Sequence, residues 1–216
     1  MMTKAEVLLG RLIEERLTAG TDIATIDRRI RAEFEEEWCI VYTNMAATTA
    51  PMATDAIINY LCLVHEMKRM TRPIMEAMGG VILKVFADRF VALFRRPHDA
   101  MNALLQVNRR LASYNDAHPS DTIAVGAGLG FGKVLKIGSD DVFGTEVGYA
   151  SRLGGELARP YEILVSDATR AALLHAPGIA FEPPEREAGF PAFRARYDLK
   201  PQARPTEDTP ADGREP

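Results

Sequence analysis

Apolar residues recur along this chain at two periods, and the switches between them divide it into elements. Leu9, Leu12, Ile13 and Leu17 form a helical stripe over residues 4–19 that ends near Gly20. Asp22 stands where it can cap a second helix, in which Ile23, Ile26, Ile30 and Phe34 follow at three- and four-residue steps. The opposite face of that helix is charged and ends in Glu35-Glu36-Glu37, a solvated acidic triplet. Its apolar stripe is also a candidate for packing across subunits. Cys39-Ile-Val-Tyr-Thr43 is a compact β-branched and aromatic run and predicts a buried strand. Pro51 suits the first turn of a further helix. Ile57, Leu61, Val64, Met67 and Met70 give that helix one apolar face, read as core packing, and Pro73 kinks or ends it.

Gly79-Gly80 then turns the chain into a strand over Val81–Phe86, and a tight turn at Ala87–Arg89 leads to a strand over Phe90–Phe94. Ala100, Leu104, Val107 and Leu111 mark a helix from Asp99 to Tyr114. In the strand from Ile123 to Val134, Gly126, Gly128, Gly130 and Gly132 alternate. Period two puts all four on one face. A face without side chains implies close approach by a packed helix, a partner subunit or a ligand. A Walker A loop does not fit this run, because its first glycine would fall on Ala127, and the run is not a GxGxxG fingerprint either. Val134–Ile137 reads as a strand, Glu146–Leu157 as a helix, Glu162–Val165 as a strand and Asp167–Leu174 as a short helix. Gly178–Glu182 and Ala195–Leu199 read as weaker strands.

The resulting order is two helices followed by βαββαββαβαββ. Two βαβ-type crossovers around a hairpin predict an α+β fold with a ferredoxin-like βαββαβ core sheet, helices on one face, and amino-terminal helices appended. Segments 1–37, 38–200 and 201–216 are taken as helical segment, main domain and tail. The tail has four prolines in sixteen residues and no large apolar side chain, so disorder is expected there.

With 216 residues and 47% hydrophobic content, the chain can bury one full core. A net charge of −4 leaves no basic stripe for nucleic acid. No apolar run reaches membrane-spanning length, and the first residues open into a charged amphipathic pattern rather than a signal peptide. Cys39 and Cys62 lie in apolar segments and read as buried, reduced thiols of a cytoplasmic protein.

Candidate chemistry is sparse. His65, His98, His118 and His175 show no ligand spacing, and no Ser/His/Asp signature is present. Lys84 and Asp88 flank the end of a predicted hairpin strand, Asp141 precedes a Phe-Gly turn, and Arg152 follows on the next helix. Two acids, a lysine and an arginine near turns either form a phosphate and metal site or remain solvated.

Several segments together resemble the class III nucleotide cyclases. Ile40–Thr49 resembles the family's first strand and the start of its following helix. Gly79–Phe94, containing Lys84-Val-Phe-Ala-Asp88, resembles the central hairpin. Asp141-Val-Phe-Gly144 through Arg152-Leu153 resembles the segment that binds base and phosphates, and Glu162–Ser166 the strand after it. The similarity runs in order from about residue 38 to 200.

What the resemblance implies is a cyclase homology domain that converts ATP to 3′,5′-cyclic AMP and pyrophosphate in a homodimer with interfacial sites. Two aspartates of one subunit hold two Mg²⁺ or Mn²⁺ ions, and the other subunit reads the base and positions ribose and phosphates. Carried onto this chain, Asp88 is one metal aspartate. Lys84 and Asp141 are the adenine-selecting base readers, and Arg152 is the phosphate arginine. Three positions depart from the pattern. Asn44 stands where the family has its other metal aspartate, Gly148 where it has the ribose-positioning asparagine, and Ala87 where it has glycine.

A neutral carbonyl at Asn44 removes a hard anionic oxygen from between two divalent ions, an effect on the order of several powers of ten in rate. A missing positioning group at Gly148 removes about 10²-fold. Glu146 and Asp55 are the nearby carboxylates weighed as replacements, and a turn-capping role for Asn44 is the plain alternative. The expected protein is therefore an impaired cyclase homologue that still binds nucleotide. Its alternatives are a slow Mn²⁺-dependent adenylyl cyclase and a dimeric protein-interaction module in which the two amino-terminal helices recruit a partner.

Overall fold

The computed structural model of the chain describes residues 3–48, 55–183 and 188–199. Pro51 and the tail from Pro201 lie outside the described residues. The elements are α1 (Lys4–Leu17), α2 (Ile23–Phe34), β1 (Glu35–Thr48), α3 (Ala56–Ala77), β2 (Val81–Phe86), β3 (Arg89–Phe94), α4 (Pro97–Ala117), β4 (Thr122–Ile137), β5 (Asp141–Phe143), α5 (Thr145–Arg152), β6 (Ile163–Ser166), α6 (Asp167–Ala172), β7 (Ala180–Glu182) and β8 (Ala192–Arg196).

Among the described residues the strands form one sheet in the order β2-β3-β1-β4-β6-β8-β7, with β5 paired to the end of β4. Its first four members are antiparallel neighbours in the ferredoxin-like order expected from the βαββαβ sequence. Helices α3 and α4 lie on one face. There Leu63, Val64, Met67, Met101, Leu104 and Leu111 pack against Cys39, Val41, Phe90, Phe94, Ile123 and Leu129. Each such fully buried side chain contributes about 1.5–3 kcal/mol.

The glycine face of β4 is covered by the chain's own helix. A Cβ on Gly126 would come within 2.8 Å of the Ala158 and Arg159 carbonyl oxygens, and one on Gly130 would overlap the Glu146 carbonyl oxygen. A packed helix therefore accounts for the alternation, rather than a ligand or a partner subunit. Glu146 fixes the contact: its Oε2 accepts from the Phe131 N–H at 3.0 Å and the Ser166 hydroxyl at 2.7 Å. The helix expected over Glu146–Leu157 is α-helical only to Arg152 and continues as a π turn over Leu153–Leu157. Within that turn, Gly154 lets the backbone close onto the Tyr42 carbonyl.

Several expectations are corrected. Glu35-Glu36-Glu37 begins β1 instead of ending α2. Glu35 pairs with Arg31 and Lys133, and Glu36 with Arg95, so these cations neutralise the first two glutamates as the triplet pairs with β4. Strand propensity at residues 134–137 continues β4 without a break. Pro73 lies inside α3 without ending it. Ile57 and Leu61 are exposed, because the buried face of α3 is set by Leu63, Val64, Met67, Met70 and Met75. Cys62 is exposed on the same outward side, while Cys39 is buried, and both thiols are free. Burial holds the Cys39 thiol far above its ordinary pKa. In α2, Ile26, Ile30 and Phe34 are buried against Leu12 and Ile137 of the same chain, so most of this stripe is already covered without a second subunit.

At the far edge Tyr197 links α4 to β8. Its hydroxyl accepts from Asn108 Nδ2 at 2.6 Å and donates to the Tyr161 carbonyl. Burial pushes its pKa up to about 12.

Two outcomes follow from this packing. Gly130→Ala forces α5 off the sheet and lowers stability by about 3 kcal/mol, or roughly 6–12 °C in Tm. Gly148→Ala, whose added Cβ meets open space, raises stability by about 0.5–1 kcal/mol through helix propensity. Thermal melts of the two variants check both signs. For Tyr197 the folded pKa lies above the ordinary value of about 10, so its contribution is complete below pH 10 and is lost as pH rises toward 12. Denaturant midpoints across that window fall less steeply in Tyr197→Phe than in the parent chain.

Candidate functional site

Asp88 sits at the tip of the β2–β3 hairpin. Phe86 pairs with Arg89, leaving Ala87 and Asp88 as a two-residue turn. Ala87 adopts φ +48°, a left-handed conformation that glycine holds without strain. This explains locally why a glycine suits that position. The turn docks on β1, whose Met45 N–H donates to the Asp88 carbonyl oxygen at 3.1 Å.

The β1–β3 register pairs Cys39 with Phe94 and Tyr42 with Val91. Continued by two residues, it sets Asn44 across from Arg89. Asn44 is thus a mid-strand residue, paired on its other side with Gly126, and not a turn cap. The Asp88 carboxylate accepts a hydrogen bond from the Tyr60 hydroxyl at 2.9 Å, and its other oxygen lies 3.9 Å from Arg89 Nε. Arg89 Nη1 also donates to the Tyr42 hydroxyl at 3.3 Å. Burial, then the hydrogen bond to Asp88, raises the Tyr60 pKa, so Tyr60 is a donor at neutral pH.

Lys84 and Asp141 are brought together from opposite parts of the sheet. Lys84 lies on β2, three strands from β4, yet its Nζ is 2.5 Å from Asp141 Oδ1. The β4–β5 hairpin makes this meeting, with Val142 packed in one cluster with Leu83, Ile40, Leu93 and Ala150. Both side chains stay well exposed, at 52% and 39%. Such a pair is worth only about 0–1 kcal/mol of stability, so its interest is chemical: an ammonium donor beside a carboxylate acceptor.

Gly148 and Arg152 are four residues apart on α5 and therefore share a face. Above Gly148 is open space. Arg152 lies over Gly189, whose added Cβ would be 3.5 Å from Nη1, and the neighbouring Phe190 stacks on Tyr149 with centroids 3.8 Å apart. Tyr60, Arg89, Gly189 and Phe190 escaped the sequence reading. Arg89 alone gave a signal there, as a charge next to Asp88 in a tight turn.

The two replacement carboxylates are occupied elsewhere. Glu146 ties α5 to the sheet, and Asp55 accepts from the Ile58 N–H to cap α3. No cluster of three or more His, Cys, Asp or Glu side chains suited to a metal ion occurs among the described residues. A cleft of about 610 Å³ opens between α1, α2 and the β4–β5 hairpin, lined by Leu9, Ile13, Leu135 and Phe143, and contains none of the candidate residues. No helix among the described residues is long and apolar enough to cross a membrane.

No family model and no curated protein matches the chain. Solved structures do. The chain is similar to the adenylate/guanylate cyclase/hydrolase from Silicibacter pomeroyi, at 19% identity and a TM-score of 0.64 over 74% of this chain and 95% of that one. It is similar to the adenylyl cyclase CyaB from P. aeruginosa, at 14% identity and a TM-score of 0.60 over 76% and 95%. A third likeness is to the guanylate cyclase domain of RhGC from Catenaria anguillulae in complex with GTP, at 14% identity and a TM-score of 0.54 over 74% and 95%. At these identities the likeness is one of fold, and it spans nearly the whole of each of those domains: this chain has the class III nucleotide cyclase fold.

Proposed function

We propose that this chain is an impaired cyclase-type domain that pairs with a second copy in the cytoplasm, binds ATP at the boundary and forms little or no cyclic AMP. One observation carries the reading. In a cyclase fold, the corner formed by Asn44, Asp88 and Arg89 holds a single carboxylate, and that carboxylate already faces the Tyr60 hydroxyl and the Arg89 guanidinium. Two divalent ions need several anionic oxygens. One negative and one positive side chain sum to zero, so the residues present do not fit a two-ion centre.

Support for nucleotide binding comes from the opposite set of side chains. Lys84 offers a donor and Asp141 an acceptor, which complements the ring-nitrogen acceptor and exocyclic amino donor of adenine. Arg152 suits a phosphate oxygen through charge-assisted hydrogen bonds. The open space over Gly148 leaves the ribose without a partner from that position. Support for pairing comes from α3. There Ile57, Ile58 and Leu61 are each more than half exposed, on the helix whose Tyr60 binds Asp88. We take 1–37 as a docked appendage and 38–200 as the working domain. Two free cysteines suit a reducing compartment.

The test uses purified chain with ATP and Mn²⁺, read by mass spectrometry for cyclic AMP and by thermal melting. ATP at 100 times its Kd stabilises by about 2.7 kcal/mol, an upward shift of roughly 5–10 °C, while product stays at the background of Asp88→Ala. Cyclic AMP that Asp88→Ala abolishes would instead establish a slow Mn²⁺-dependent adenylyl cyclase. No effect of nucleotide on melting would leave the α3 surface as the functional part, in an interaction module.

A further inference from the structure

We infer that Arg89 takes the place of the metal ions, so that the site receives the polyphosphate of a nucleotide without a divalent cation. This rests on the proposed nucleotide reading and specifies its chemistry. The register sets Arg89 across from Asn44, and its guanidinium lies between the Asp88 carboxylate, at 3.9 Å, and the Tyr42 hydroxyl, at 3.3 Å. A fixed positive charge thus stands beside the Asp88 carboxylate, between it and the Tyr42 hydroxyl, on the strand that faces Asn44. A divalent cation brought there meets a like charge and only one anion, itself hydrogen-bonded to Tyr60.

The same corner suits an anion. The Arg89 side chain is 38% exposed, and a guanidinium carries five N–H donors in a fork that matches phosphate oxygens. The two oxygens that face it, from Asp88 and Tyr42, do not use all of them. Asn44 adds no negative charge to repel a phosphate, whereas an aspartate there would stand directly across from Arg89. The replacement at position 44 and the arginine at position 89 are therefore mutually consistent. One removes an anion that the ions required, and the other supplies a cation in their place.

Two consequences separate this arrangement from a merely damaged metal site. First, metal-free ATP binds at least as well as its Mg²⁺ complex, because the complex brings a cation to Arg89. Second, Asp88 competes with phosphate for Arg89, so removing its carboxylate tightens binding; in a metal site the same change would weaken it.

The experiment is calorimetric titration of the full chain with ATP, once in EDTA and once in excess Mg²⁺. The expected results are a Kd in EDTA equal to or below that in Mg²⁺, about tenfold weaker binding in EDTA for Arg89→Ala, partial recovery in Arg89→Lys, and tighter binding in EDTA for Asp88→Ala. Circular dichroism and melting of each variant establish that it is folded, and Arg89→Lys keeps the question open to test if Arg89→Ala is not. ATP binding that appears only with Mg²⁺ overturns this inference and leaves the nucleotide reading standing. Wild-type affinity in Arg89→Ala, or weaker binding in Asp88→Ala, also overturns it. No ATP binding under either condition overturns both.

Discussion

The closeness with which α5 lies on β4 is the constraint on which the rest of the site depends. Four alternating glycines strip one face of β4, and the backbone of α5 and the turn after it fill the space. A side chain at Gly128 or Gly130 would push the helix outward against backbone atoms that cannot rotate away. Glu146 locks the contact with hydrogen bonds to β4 and β6. Once α5 is fixed, Gly148 and Arg152 are fixed along one of its faces. The β4–β5 hairpin that leads into it then carries Asp141 to Lys84. The amino-terminal helices brace the same hairpin from the other end, through the contact of Leu12, Ile26, Ile30 and Phe34 with Ile137.

Against this rigid frame, the chemistry of the site is a matter of charge. The scaffold of a cyclase domain is present, but the Asp88 corner is close to neutral where two-ion catalysis needs a concentrated negative charge. Tyr60 and Arg89 give Asp88 a hydrogen-bond donor and a positive charge. The Lys84–Asp141 pair is a separate unit, held by the hairpin and independent of that balance.

The fold was largely legible in the sequence because its signals were local and periodic. The stripe of α4, the Gly79-Gly80 turn into β2 and the alternation along β4 each report one element. Errors arose where tertiary contacts override local preference. Glu35–Glu37 read as a helix end, yet they pair with β4, and Arg31, Arg95 and Lys133 neutralise Glu35 and Glu36 there. Ile57 and Leu61 read as core by spacing, yet the helix turns its Leu63 and Met67 side inward. Within the site, the meeting of Lys84 with Asp141 follows from the pairing of β5 back onto β4, which no local pattern encodes. Arg89 escaped notice for a related reason. Its importance comes from standing across a strand pair from Asn44, a relation visible only once β1 and β3 are in register.

Electron paramagnetic resonance of Mn²⁺ mixed with the chain alone, without nucleotide, reads the charge balance at Asp88. With that balance in place, the six-line signal of the free ion persists undiminished through equimolar protein. Loss of that signal in the parent chain, with recovery in Asp88→Ala, would show a competent metal site and overturn the charge balance.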